Sequence, residues 1–166
     1  PGPERRLTEA AAIDRDVCLA AAGDRVWMAW EHAAPLDYQL GKAASKRVQV
    51  ARIGPDGLEA PPGIRKTGLW TDAESPSIRL DAHGRVWVAA RVVRDRNTGW
   101  DTKLWMVDRD GWNGPMVASA RKGMNRRPAI ALLGDTVAVF GFLLDSQPQT
   151  GRKGALRVWD GLTQMS

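Results

Sequence analysis

The side chains of this chain that are best suited to chemistry are cations and flat aromatic rings, and they cluster between short apolar segments. The cations are Lys42, Lys46, Arg47, Lys66, Arg91, Arg94, Arg96, Lys103, Arg121, Lys122, Arg126, Arg127, Arg152 and Lys153. The acids among them are Glu31, Asp37, Asp72, Glu74, Asp95, Asp101 and Asp145. Fourteen bases against seven acids give these segments +7, while the whole chain carries +5, so everything else sums to −2. A concave basic rim concentrates potential and draws in anions. The planar fork of arginine fits carboxylate, sulfate or phosphate groups. Tyr38, Trp70 and Trp100 interleave with the charges, and such rings stack on sugars or on unpaired bases. The candidate ligand-binding residues are therefore Arg94, Arg96, Arg126 and Arg127 as an anion clamp, with Trp70, Trp100 and Tyr38 as stacking surfaces. The structural alternative is a solvated charged rim in which Trp70 and Trp100 cap strand edges.

Acid–base chemistry has one candidate cluster. Glu31-His32 and Asp37-Tyr38 place two acids, an imidazole and a phenol on a single segment, and Glu31, His32 and Asp37 are the candidate proton-transfer groups. Whether the chain is an enzyme stays open at this point. No His/Cys spacing predicts a metal, no Gly-rich phosphate cradle precedes a helix, and no cofactor is expected. His83 falls in a turn, where a structural or exposed role is expected. The one cysteine, Cys18, lies in an apolar stretch and reads as an inert, buried thiol.

The elements that must position these residues follow from an internal repeat of about 55 residues. Val26-Trp27-Met28-Ala29-Trp30 returns as Val86-Trp87-Val88-Ala89-Ala90 and again as Val137-Ala138-Val139-Phe140-Gly141. Cys18 to Val26 aligns without a gap to Ala129 to Val137, Gly-Asp turn included. Apolar segments joined by such turns predict hairpins. Their second strands are apolar on both faces, which predicts burial between two layers. A third strand follows each hairpin: Val48-Gln49-Val50-Ala51, Leu104-Trp105-Met106-Val107 and Leu156-Arg157-Val158-Trp159. Polar, Pro-marked segments at Pro62-Gly63-Ile64-Arg65 and Gly114-Pro115-Met116-Val117 suit outer edge strands. Gly2-Pro3-Glu4-Arg5-Arg6-Leu7 resembles the second of these. A helix over residues 4 to 22 would suit their Ala and Glu content, but the gap-free match argues for strands.

The expected fold is thus all-β: a β-propeller-type repeat of four-stranded antiparallel blades. Its three blade units run approximately over 1–57, 58–111 and 112–166. Three blades do not close a ring, so the expectation is a partial propeller, either a piece of something longer or half of a dimeric six-bladed ring. The start at Pro1 without a Met agrees with processing or excision. Long segments between the second and third strands and between successive units leave on one face: 31–47, 91–103 and 145–153, with 66–74 and 121–127. Loops on a rigid scaffold are where function resides. Apolar content of 43% and charged content of 26% are those of a globular protein. No apolar run approaches the roughly 18 residues of a membrane helix.

The units, clearest in Pro76-Ser77-Ile78-Arg79-Leu80-Asp81-Ala82-His83-Gly84-Arg85-Val86-Trp87-Val88-Ala89, resemble the blades of bacterial sialidase-like (BNR-type) repeat propellers over about residues 13 to 161. The Asp-box of sialidases, Ser-x-Asp-x-Gly-x-x-Trp, is absent, and Asp108-Arg109-Asp110-Gly111-Trp112 only echoes it. That resemblance implies a glycan-hydrolysing, glycan-binding or scaffold role in a secreted or periplasmic bacterial protein. Two functions are expected: recognition of an acidic glycan or other anionic ligand, or a non-enzymatic scaffold for an acidic protein or nucleic acid.

Overall fold

The computed structural model describes residues 4–8, 12–33, 46–61, 70–95, 99–108, 111–119, 123–133, 136–144 and 154–160. For residues 70–71, 94–95, 108, 117–119, 123–126, 136–144 and 154–160 it describes the backbone alone. Among these residues every regular element is a strand, and there is no helix. The first sheet runs β1 (Ile13–Ala22), β2 (Arg25–Ala33), β3 (Arg47–Gly54), β4 (Gly57–Glu59), with the short β5 (Trp70–Thr71) also paired to β3. The next antiparallel series is β6 (Ala73–Leu80), β7 (Val86–Asp95), β8 (Gly99–Asp108) and β9 (Gly111–Ser119). A third series follows, β10 (Gly123–Leu133), β11 (Thr136–Leu144) and β12 (Gly154–Asp160). A short parallel pairing of Gly123 and Met124 with Gly99 and Trp100 ties β10 to β8, so the second and third series form one sheet.

The repeat explains this arrangement. In the first two series the first strand pairs with the second through a tight hairpin, with Gly23 (φ 60°) or Gly84 (φ 80°) supplying the left-handed turn residue, and in the third β10 pairs with β11. The second strand is apolar on both faces because it is covered on both. Trp27 and Ala29 of β2 join Val48, Val50, Ile78, Val86, Val88, Ala90 and Trp105 in the core between the first two series. Trp87, Ala89, Leu104 and Met106 form a second core with Ile130 of β10. Met28, Trp30 and Ala51 make a third, on the far side of the first sheet, where Leu7, Ile53 and Leu58 pack against them. The inner strands stand in a row, β6 packed between β1 and β10.

Two expectations change, and one alternative is excluded. Residues 91–103 are not a long loop: the β7–β8 ladder runs from Val86 opposite Val107 to Asp95 opposite Gly99, which leaves only 96–98 as connection. Val92, buried toward the first core, and Arg91 on the opposite face keep the two-residue alternation of a strand. The outer strand after β3 forms at Gly57–Glu59, and Pro62 to Arg65 lie outside the described residues. A helix over 4–22 is excluded by β1, whose partner is β2. The outer strands β4 and β9 pair with the strands that precede them, so each completes the sheet of the unit before it. No sheet closes on itself among the described residues.

Candidate functional site

The loop end of the sheets is shaped by one feature repeated three times. In each inner strand two residues oppose one on the partner strand, between Arg15 and Cys18, between Glu74 and Ser77, and between Arg126 and Ala129. The first bulged residue has positive φ every time: Asp16 at 50°, Ser75 at 51° and Arg127 at 46°. Two of the second positions are Pro76 and Pro128, and a proline in an inner strand needs such a bulge because it has no N–H for the ladder. The bulges put Arg15, Glu74 and Arg126 at equivalent positions just before them.

At this end two carboxylates are sealed beneath three cations. Glu31 is 0% exposed and the Glu74 side chain 3%. Arg15 donates to Glu31 Oε1 from Nε at 2.8 Å, with Nη2 at 2.6 Å. Lys46 Nζ lies 2.6 Å from Glu74 Oε2 and 3.8 Å from Glu31 Oε1, bridging the two acids. The Ser75 N–H, released from the ladder by its bulge, donates to Glu31 Oε2 at 3.4 Å. Arg91 pairs with Glu74, its cross-strand partner, and its guanidinium sits 4.1 Å from the centre of the Trp100 ring. Thr102, opposite Arg91 in the next ladder, is buried with a hydroxyl that has no hydrogen-bond partner among the described residues. Such a network is stable only while every charge is matched. Here three cations, all partly exposed, stand over two buried anions, and a further buried carboxylate, Asp101, lies between Trp100 and Thr102 in β8.

Of the expected site residues, Glu31 and Trp100 belong to this network. Glu31 is closed off from solvent with both oxygens engaged, so it holds cations in place. Trp100 has one face covered by Arg91, so that face is not free to stack on a sugar. His32 faces the other side of the first sheet, where its Nδ1 is 2.9 Å from Asp14 Oδ1, which also accepts from Trp30 Nε1 at 3.1 Å. Arg127 is exposed at the third bulge, and the backbones of Arg94, Arg126 and Trp70 lie in β7, β10 and β5. Asp37, Tyr38 and Arg96 lie outside the described residues. Sequence reasoning missed Arg15, Lys46, Glu74 and Arg91 as a unit. Its available sign was the recurrence of a charged residue two positions before Val17, Pro76 and Pro128.

Two further groups are structural. Asp81 in the β6–β7 turn accepts from the backbone N–H of His83 (3.0 Å) and Arg85 (2.9 Å), from Arg85 Nε (2.6 Å) and from buried Trp87 Nε1 (2.9 Å). Burial opposes its ionisation, but the hydrogen bonds from Trp87 and Arg85 outweigh burial and hold the carboxyl below its ordinary value. Burial pushes the Cys18 thiol up to about 11, with Sγ 3.5 Å from the Ala29 and Pro76 carbonyls, so at neutral pH it is a protonated packing group. Among the described residues no group of three or more His, Cys, Asp or Glu is gathered as a metal site. No protein-family model matches the chain, and no curated protein matches it, so the reading of this site rests on its geometry.

Proposed function

We propose that the chain is a binding module of propeller-type blades that recognises an anionic ligand, an acidic carbohydrate, at the loop end of its inner strands. The observation that supports this is the fixed group of partly exposed cations there: Arg15, Lys46 and Arg91, held in place by the buried Glu31 and Glu74. Preorganised, partly desolvated cations bind an anion without losing side-chain freedom at the moment of binding. Exposed Arg127 adds a cation at the bulge of the third unit, one residue after the position equivalent to Arg15. With Glu31 sealed and Trp100 covered, charge rather than proton transfer or open-face stacking leads the recognition, and we assign no reaction.

The test is a glycan array with the parent and with Arg126→Ala/Arg127→Ala. Lys46 and Arg91 stay in place, because removing either strands a buried carboxylate. The parent is expected to bind uronic-acid or sialylated glycans and not their neutral counterparts; the variant, which keeps Arg15, Lys46 and Arg91 but lacks the exposed Arg127 cation, is expected to bind them more weakly with its melting temperature unchanged. Equal binding by both proteins, or none by the parent, contradicts it. Preference for single-stranded nucleic acid with a steep loss of affinity in salt would instead favour the scaffold reading.

A further inference from the structure

We infer that the carboxylate of the ligand sits between the second and third units, where Thr102 and Arg91 face the third bulge, a placement that rests on the anionic-ligand reading. The ladders define one row of residues at the loop end of each unit, starting just before its bulge. In the first row Arg15 pairs with Glu31, and Glu31 with Val48. In the second Glu74 pairs with Arg91, and Arg91 with Thr102. In the third Arg126 pairs with Phe142, and Phe142 with Leu156. The first row faces the second unit. Its Glu31 has Arg15 and Lys46 as cations and accepts the N–H of Ser75 from the second bulge. That is a complete carboxylate site, and the chain itself supplies the carboxylate.

The second row faces the third unit in the same way. Arg91 and Thr102 lie two residues from Ala89 and Leu104, on the strand face that packs against Ile130 of β10. Ser77, on that face too, accepts from the Ile130 N–H at 3.3 Å. Here the residue types are exchanged. Arg91 holds the position of Glu31. Thr102 holds the position of Val48, which is 0% exposed in an apolar core. Thr102 is 2% exposed, and its hydroxyl has no hydrogen-bond partner among the described residues. Glu74 is already matched by Lys46 and Arg91, Asp101 shares the Val92 face toward the first sheet, and the third row adds no acid. By register the Arg127 N–H takes the place of the Ser75 N–H, with the Arg127 side chain exposed beside it. A buried hydroxyl left unmatched costs stability that a valine does not, and such groups gather where function needs them. A cation, a hydroxyl and a backbone N–H around one spot are donors suited to a carboxylate, the group that Glu31 provides one unit earlier. The ligand class is therefore a sugar acid held through its carboxylate.

Calorimetric titration of the parent, Thr102→Val and Thr102→Ser with an oligogalacturonate tests it, with thermal midpoints measured alongside. Valine keeps the shape of threonine and is the residue that the first row carries. Thr102→Val is expected to weaken binding roughly tenfold, the loss of one hydrogen bond to a charged group, with a midpoint at or above that of the parent. Thr102→Ser keeps the hydroxyl and is expected to bind close to the parent. Three results would overturn this placement while the binding of the parent upheld the anionic-ligand reading: unchanged binding by Thr102→Val, an equal loss in Thr102→Ser, or a lowered midpoint of Thr102→Val. No binding by the parent would overturn both.

Discussion

Asp81 shows how one side chain fixes a hairpin. Its two oxygens take four donors, and one of them is the indole N–H of Trp87, which has no exposure to water. Asp81→Ala leaves that donor and the turn N–H groups unmatched, and a loss on the order of 3 kcal/mol is expected from urea unfolding, with Asp81→Asn losing less. The pH dependence has a definite sign. The folded carboxyl titrates below the unfolded one, so the unfolded chain binds the proton first as pH falls. The stabilisation is complete above about pH 4 and is lost as pH drops through the lowered folded value. The stability gap between the parent and Asp81→Asn is therefore expected to close on acidification below pH 4; a gap that widens would contradict the assignment. The sequence marks the turn through Ala82-His83-Gly84 but not this role, because the acceptor is identified only when Trp87 comes back across the hairpin. Glu31 and Lys46 are hidden for the same reason: Ser75, whose N–H reaches Glu31, and Glu74, which pairs with Lys46, come from another sheet.

At the scale of elements, the recurrent bulge organises the loop end. Three non-glycine residues hold positive φ at equivalent positions, a conformation that disfavours Cβ-bearing residues and most of all β-branched ones. Asp16 is exposed, so its substitutions report on the backbone alone. Asp16→Val is expected to lower stability by about 1–2 kcal/mol and Asp16→Gly to lower it not at all, read as thermal midpoints. Equal effects of the two would show that the left-handed conformation is not held. Hairpins and two-faced inner layers are legible from Val26–Trp30 and Val86–Ala90, because burial on both faces leaves no polar alternation. The limits of the strands are less legible. Arg91, Arg94 and Asp95 read as a charged loop, although their backbone continues the ladder of β7 with β8. Pro76 and Pro128 mark the bulges, and their meaning depends on the repeat alignment that makes them equivalent.

At the scale of the whole molecule, the repeat sets up three like units whose inner strands stand side by side, and it places the three bulges and their preceding charges at one end. Paired carboxylates beneath that end turn a loose collection of cations into a fixed group. The basic surplus of the chain was legible from composition and spacing. The division between cations committed to Glu31 and Glu74 and those facing solvent was not, since it depends on distances between sheets. A calorimetric titration of the parent chain with an oligogalacturonate and with the neutral oligogalactose of the same length, at low and at physiological salt, tests charge-led recognition most directly. Binding of the acidic oligosaccharide alone, weakening moderately as salt screens the few charges involved, is the predicted result. Equal binding of the neutral sugar, or no binding of the acidic one at low salt, would contradict it.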